Sequence, residues 1–413
     1  MFLNANANSK YPRSLHNRLL EDMGLYPVVA VMGARQVGKS TLCRQIAENK
    51  GLAYRTLDDR DTLEQARNDP EGLLDDLGSN GAFIDEVQRA PGVFLAIKTV
   101  VDRDRRPGLY LVSGSNQPQV SSAVGDSLIG RAAYRTLRPL TLSELRLDET
   151  HPGWSFLFDN TDSKVIKELE RRAEASGALD WREVAQTGGF PMSVLAQPAQ
   201  RMTVLNDYVE VFSRRDIREV VGIESSERFE SFLRLAAART AQELNYSGLS
   251  NDLGISVNTV RRWVDALSRS YLVELIPPYS RNAGQRVIKA PKLLMVDSAF
   301  ALAAARETEP SGFHLENLVA TDLAVWKDSG PSRGLYHWRL ASGQEVDFIL
   351  EENAQLLPVE VKSATKVTSK ETKHLRKFLS DHTNSPRGLI ISSDPDIRLL
   401  SQRIIAAPWW AVL

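Results

Sequence analysis

The stretch GARQVGKS, Gly33 to Ser40, follows the apolar run YPVVAVM and limits the fold more than any other part of the chain. Two glycines bracketing four residues, followed by a lysine and a hydroxyl, form a loop whose backbone N–H groups wrap phosphate oxygens. Such a loop works where a strand ends and a helix begins, because the helix N-terminus favours negative charge. VVAVM reads as a buried strand and STLCRQIAE as the helix after the loop. The bare pattern arises by chance in about one or two chains of this length in a hundred. The phosphate-binding set is Gly33, Ala34, Arg35, Gln36, Val37, Gly38, Lys39, Ser40 and Thr41, with Lys39 reaching the terminal phosphates and the Ser40 hydroxyl on Mg²⁺.

Three further segments support this reading. GAFIDEVQ is a short apolar strand ending in Asp85 and Glu86. In nucleotide hydrolysis the first carboxylate holds Mg²⁺ and the second polarises the attacking water, whereas alone the pair reads equally as a charged turn. GLYLVSGSNQ ends in Ser113, Ser115 and Asn116, placed to sense the γ-phosphate or simply to turn the chain. LIGRAAYR supplies Arg131, an arginine finger in its own or a neighbouring subunit, or else a surface salt bridge. Strands at VVAVM, AYRTLDD, AFIDE and LYLVSGS alternate with helical patterns, so residues 1–150 are expected to form a parallel α/β sheet covered on both faces. ATP hydrolysis with ATP and Mg²⁺ as cofactors is the expectation.

The chain has 413 residues, enough for two or three domains. It carries 51 Lys and Arg against 52 Asp and Glu, a net charge of −1, so nucleic-acid binding would have to come from local patches. SRRDIRE at 213–219, RRW at 261–263 and the stretch from Lys362 to Lys377 are the candidates. There is no apolar run of eighteen residues and no apolar centre near the N-terminus, so a cytoplasmic protein without membrane contact is expected. Cys43, the only cysteine, falls on the helix after the loop, which suits a small packing residue and leaves no disulfide or cysteine-rich zinc site.

Residues 151–290 read as mostly helical. DNTDSKVIKELERRAEASG suggests a solvated helix, and TGGFPMSVL, with Gly188, Gly189 and Pro191, a rigid turn. In SGLSNDLGISVNTVRRWVDALSRSYLVELI, Leu249 and Leu253 place a short helix and Gly254 a turn, after which Val257, Val260, Val264 and Leu267 recur on one helical face. That is a helix-turn-helix. The outward face of its second helix carries Asn258, Thr259, Arg261 and Arg262, residue types that contact phosphates and base edges. YLVELIPPYS and KAPKLLMVD would supply the strands of a wing; winged helices also serve as protein-interaction modules.

In residues 291–413, GQEVDFILEENAQLLPVEVKSA asks for two strands. With Asn353 and Ala354 at the tip, Asp347 falls opposite Glu360 and Glu345 opposite Lys362, while Glu360 and Lys362 share a face. Carboxylates so placed can bind Mg²⁺ and a lysine can offset charge or position a nucleophile at phosphorus. Exposed cross-strand ion pairs are the alternative, but Val346, Phe348, Ile349, Val359 and Val361 imply a strand covered on both sides. FHLENLVATDLAVW reads as a helix bringing Glu316 as a further carboxylate. Lys366, Lys370, Lys373 and Lys377 recur at helical spacing, as a phosphate-tracking or solvated face, and IIAAPWWAVL closes the last strand against the core.

Taken together, GARQVGKSTL, FIDEVQRAP, LVSGSNQ, GRAAYRTLRPLTLSEL, GGFP, RDIREV, LNYSGLSNDLGISVNTVRRWVDAL, PKLLMVDSAF, LENLV and EVDFIL…PVEVKSA resemble the bacterial and archaeal AAA-type P-loop ATPases with a C-terminal DUF4143 domain. The resemblance implies an N-terminal P-loop NTPase, a middle winged helix and a C-terminal domain similar to the restriction-endonuclease, or PD-(D/E)xK nuclease, fold. It implies that Asp347, Glu360 and Lys362 match the nuclease motif, Glu316 its helical acidic residue, and Lys39, Ser40, Asp85 and Glu86 the nucleotide site. Serine stands at position 40 where threonine is commoner. The catalytic candidates are thus Glu86, Arg131, Asp347, Glu360 and Lys362, and the metal candidates Ser40, Asp85, Glu316, Asp347 and Glu360. The leading expectation is a DNA-binding ATPase, with assembly into a homo-oligomer left open, that controls a metal-dependent nuclease; the alternative is a regulatory switch or scaffold that does not cut.

Overall fold

The computed structural model describes residues 11–116, 128–148, 153–216, 226–280 and 290–413. Gln117 of the LVSGSNQ motif, Ile217 to Val220 of RDIREV and Lys289 of the second wing segment lie outside them. The chain divides into two compact units: one runs to Arg138 and takes in Arg269–Tyr271, and the other comprises Pro139–Ser268 and Leu272–Leu413. Apart from Arg269–Tyr271, the described residues of the expected middle and C-terminal domains, 151–290 and 291–413, fall together in the second unit. No helix among the described residues is long and apolar enough to cross a membrane.

The first unit is a five-stranded parallel sheet, order β2-β3-β4-β1-β5, with β1 Val28–Met32, β2 Ala53–Thr56, β3 Ala82–Asp85, β4 Tyr110–Gly114 and β5 Ala132–Thr136. Every residue of β1, β3 and β4 is buried, as the unbroken apolar runs require of strands covered on both faces. Around it lie α1 (Leu15–Met23), α2 (Lys39–Lys50), α3 (Arg60–Asn68), α4 (Pro70–Asp76) and α5 (Gly92–Arg103). Because β4 is inserted between β1 and β3, its C-terminal end stands between the glycine loop and Asp85.

The second unit begins with α6 (Leu142–Leu145), α7 (Phe156–Asp159), α8 (Asp162–Ser176), α9 (Trp181–Thr187), α10 (Pro191–Leu195), α11 (Arg201–Val211) and α12 (Ser226–Ala238). Thr141 and Glu144 cap α6 reciprocally, which accounts for the polar residues of TLSEL. Helix α8 is amphipathic rather than solvated all round: Val165 and Leu169 are buried, and so is Arg172, which donates to the Val412 carbonyl at 3.0 Å. The expected helix-turn-helix is α13 (Tyr246–Leu253) and α14 (Val257–Arg269), joined through Gly254 in the left-handed region at φ 61°. The wing strands pair as a sheet of order β6-β8-β7, with β6 Gln242–Glu243, β7 Val273–Ile276 and β8 Lys292–Met295.

After α15 (Ser298–Ala305) and α16 (Gly312–Asp328), a mixed sheet of order β13-β14-β12-β11-β10-β9 completes the unit. Its strands are β9 Arg333–Arg339, β10 Glu345–Glu352, β11 Gln355–Val361, β12 Gly388–Ser392, β13 Arg398–Ser401 and β14 Ile404–Pro408. Helix α17 (Lys373–Asp381) precedes β12, and α18 (Trp409–Val412) ends the chain with every residue buried. One face of this sheet packs Phe348, Val359 and Trp409 against Leu315 and Val319 of α16; the other packs Val346, Ile349 and Ile390 against Leu375 and Phe378 of α17. Along the chain α16, the antiparallel strands β9, β10 and β11, helix α17 and the parallel strand β12 follow one another.

Candidate functional site

The nucleotide loop is built from the sequence pattern upward. Gly33 has φ 152°, and a Cβ there would lie 2.2 Å from the Leu137 carbonyl oxygen; Gly38 has φ 98° and starts α2. No other residue meets both demands at position 33. Lys39 is 4% exposed and donates to the carbonyls of Gly33 at 2.9 Å and Ala34 at 2.7 Å. Burial lowers its pKa to about 8, against the pull of Glu86 and Asp85. The amine therefore sits inside the loop, at the base of a cradle of backbone N–H groups. Ser40 and Arg35 are half-buried, Gln36 and Thr41 exposed. Cys43 is fully buried, and burial raises its thiol pKa, as a packing residue requires.

Asp85 ends β3 and is 3% exposed; the Ser113 hydroxyl, from the adjacent β4, donates to its Oδ1. Glu86 follows in the left-handed region at φ 58°, which turns it away from the strand. Its Oε2 accepts from the amide of Gln88, and the same amide nitrogen donates to Ser115 Oγ at 2.9 Å. Gln88 is a residue that sequence reasoning missed: an amide two positions past the acidic pair holds Glu86 to the end of β4. Asn116 is half-buried beyond β4, and Arg131 is engaged with Asp102 at 2.6 Å within the unit.

On α14, Val260, Val264 and Leu267 are buried, while Asn258, Arg261 and Arg262 are exposed. Thr259 is half-buried; its N–H donates to Ser256 Oγ at 3.1 Å and its hydroxyl lies 2.8 Å from the same atom, so it helps start the helix. Arg261 lies over the Tyr246 ring, 4.5 Å from its centroid.

The hairpin register matches the expectation. Asn353 and Ala354 both have positive φ, 49° and 65°, and Phe348 pairs with Val359; carried one residue further, this register sets Asp347 beside Glu360. Against β9, β10 advances three residues from Val346 to Ile349 while its partner advances two, a bulge at Asp347 and Phe348. Val346 and Phe348 consequently pack on opposite faces of the sheet. The bulge frees the Asp347 side chain, whose Oδ2 accepts from the Val361 N–H at 2.8 Å. Lys362 donates to Glu360 Oε1 at 2.6 Å, and Glu360 Oε2 is buried without a hydrogen-bond donor among the described residues.

Lys292, at the start of β8, is the second residue that sequence reasoning missed. It is 8% exposed; its ammonium donates to Glu316 Oε1 and lies 3.5 Å from Asp347 Oδ1. Burial works against its charge, but Glu316 and Asp347 outweigh burial and raise its pKa. Glu316 and Glu360 are pushed up to about 8, by burial first and then by the Asp347 charge. Burial and the Asp347 charge both favour the protonated form of Glu316 and Glu360, while the ammonium groups of Lys292 and Lys362 work the other way. Among the described residues no three carboxylate, imidazole or thiol side chains stand in an arrangement that holds a metal ion. The donor set itself suits a hard divalent cation: three carboxylates, one with an unpaired buried oxygen.

The raised carboxyls predict a pH dependence. Glu316 and Glu360 hold protons in the folded state up to about 8 but release them near 4.5 when unfolded, so their contribution is complete below 4.5 and lost as pH rises through 8. Stability of the metal-free protein, measured by urea unfolding, is expected to fall between pH 5.5 and 8.5 by on the order of 1–3 kcal/mol for each carboxyl. Glu360→Gln should flatten that slope; an unchanged slope would mean the carboxyl titrates normally.

The lysine run differs from expectation. Thr368 and Glu371 cap a short turn, so α17 begins only at Lys373. Lys366 and Lys370 lie before it, and Lys377 pairs with Asp381 at 2.8 Å.

A glycine loop on a parallel sheet with Lys39, Ser40 and Asp85 at its C-terminal edge defines a P-loop NTPase unit. Residues 25–146 match the family described as an AAA domain, residues 178–311 a domain of unknown function, DUF8612, and residues 311–412 a domain of unknown function, DUF4143. The chain thus joins an ATP-binding AAA-type ATPase domain to a DUF4143 domain. Uncharacterized proteins of Mycobacterium bovis and Mycobacterium tuberculosis are each 26% identical to it, matching 95% of this chain and 82% of their own length. A protein of Haemophilus influenzae is 23% identical over 71% of this chain and 68% of its own. Among solved structures, the chain is similar to a Walker-type ATPase of Pyrococcus abyssi (14% identity, TM-score 0.44, 71% of this chain and 96% of that one). It is also similar to the Bacillus subtilis DNA clamp loader delta protein (10% identity, TM-score 0.27, 76% and 99%).

Proposed function

We propose that this protein is an ATP-hydrolysing, DNA-binding enzyme whose ATPase unit controls a Mg²⁺-dependent phosphodiester-cleaving site in the C-terminal sheet. The observation that carries it is the convergence of Asp347, Glu360 and Lys362 on one hairpin, with Glu316 supplied by α16, in a protein that also has a complete P-loop.

In the first unit, Lys39 and the loop N–H groups would grip the nucleotide phosphates, Ser40 and Asp85 would hold Mg²⁺, and Glu86, its carboxylate fixed by Gln88, would orient and deprotonate the attacking water. Asn116, half-buried beyond β4, would sense the γ-phosphate. Arg131 would serve a neighbouring subunit only by leaving Asp102, which ties its finger role to a homo-oligomer. In the second unit, Asn258, Thr259, Arg261 and Arg262 meet DNA: the exposed arginines supply backbone attraction and the amide and hydroxyl read base edges. Glu316, Asp347 and Glu360 would hold a second Mg²⁺, whose chemistry there would be to acidify water and offset charge at phosphorus. Lys362, half-buried beside Glu360, keeps its ammonium at the rim, where it stabilises charge on the cleaved phosphate.

The test is incubation of plasmid, linear duplex and single-stranded DNA in Mg²⁺ or Mn²⁺, with and without ATP. Wild type is expected to cut at least one substrate. Asp347→Asn, which keeps the side chain's shape, is expected to cut none while hydrolysing ATP at the wild-type rate. ATP hydrolysis without cleavage under any condition would leave the second reading, a non-cutting switch, which the ammonium of Lys292 among the carboxylates favours.

A further inference from the structure

Lys292 is absorbed by neither the nucleotide site nor the motif around Asp347. It belongs to the wing: β8 pairs with β7, and β7 follows directly on the second helix of the helix-turn-helix. Yet its side chain leaves that sheet to reach Glu316 on α16 and Asp347 on β10, with the ammonium also 5.4 Å from the centre of the Phe348 ring. The residue contributes one positive charge to a buried cluster in which Glu360 Oε2 still has no donor among the described residues. Two of the three carboxylates that suit a divalent ion are therefore already satisfied by a cation of the protein's own.

Resting on the metal-dependent reading above, we infer that Lys292 and a divalent ion are mutually exclusive partners of Glu316 and Asp347. Lys292 is the resident cation that keeps the cluster from loading. An ammonium that donates to Glu316 Oε1 and stands 3.5 Å from an Asp347 oxygen fills the space between those two side chains, and like charges in so dry a site repel strongly. The ion binds by driving the ammonium out. The lysine ties Glu316 and Asp347 to one cation when no ion is present, which preserves their placement at the expense of metal affinity.

Mn²⁺ binding to the full chain, read by the loss of free Mn²⁺ electron paramagnetic resonance signal, tests this without any cleavage assay. Wild type should bind one ion in the second unit, counted with Lys39→Ala, Asp85→Asn background to silence the first; Asp347→Asn should abolish it. Lys292→Met, of similar length and without charge, should bind at least about tenfold tighter, and Lys292→Arg, which keeps the charge, should not. Equal affinity in Lys292→Met and wild type overturns the inference and leaves the metal site standing; no Asp347-dependent binding in either overturns both. Should Lys292→Met fail to fold, amine labelling of the wild type decides: reductive methylation of Lys292, read by mass spectrometry, should rise at saturating Mn²⁺. Labelling unchanged by Mn²⁺ would overturn the inference.

Discussion

Glu86→Gln is expected to lower ATP turnover by about 10²–10⁴-fold while nucleotide affinity changes by no more than a few-fold. On the proposed mechanism the substitution removes the base and little else. Glu86 sits in the left-handed region, where its side chain is held by the Gln88 amide, and a glutamine can accept that same hydrogen bond through its side-chain oxygen. The loop, Lys39 and Asp85 are untouched, so binding of a fluorescent ATP analogue should persist. Steady-state phosphate release, set against that binding curve, separates the two effects. Gln88→Ala should produce an intermediate loss with a normal affinity, because it frees Glu86 from the end of β4 without removing its carboxylate. Wild-type turnover in Glu86→Gln would assign the water to another group.

Gly189→Ala should destabilise the second unit by about 3 kcal/mol or more. A Cβ at Gly189 would stand 2.1 Å from the Leu140 carbonyl oxygen, and this contact is backbone, which a rotamer change cannot relieve. Its neighbour Gly188 is at φ 63°, where a Cβ would meet the Asp297 carboxylate at 2.5 Å. That carboxylate is spoken for: it accepts from the Gly189 N–H at 2.6 Å and from the Phe300 N–H at 2.8 Å, capping α15. The GGFP motif is therefore a joint between the segment leading to α6 and the start of α15. Urea unfolding followed by intrinsic tryptophan fluorescence measures the loss, and a shift under about 0.5 kcal/mol would show that the joint opens freely.

What was legible in the sequence was local. The glycine loop declares its strand and helix because the chemistry of phosphate binding fixes both neighbours. The β10–β11 register follows from two alternating runs separated by Asn353 and Ala354, a two-residue turn that leaves one way to pair them. Lys292 was not legible, because it is 24 residues from Glu316 and 55 from Asp347 and its run, APKLLMVD, reads as a wing edge whose lysine should be solvated. The bulge was hidden for a related reason: EVDFIL reads as regular alternation until β9 pairs with it. Likewise the four lysines fit one helix until the Thr368–Glu371 cap, a tertiary choice of start, divides them.

The bulge has an evolutionary side. A single extra residue in β10 is what turns Asp347 out of the sheet's alternation, and everything else in the hairpin obeys the ordinary rules of a strand. One codon lost at that point would restore regular alternation, return the strand to an unbroken ladder with β9 and silence the carboxylate cluster in the same stroke.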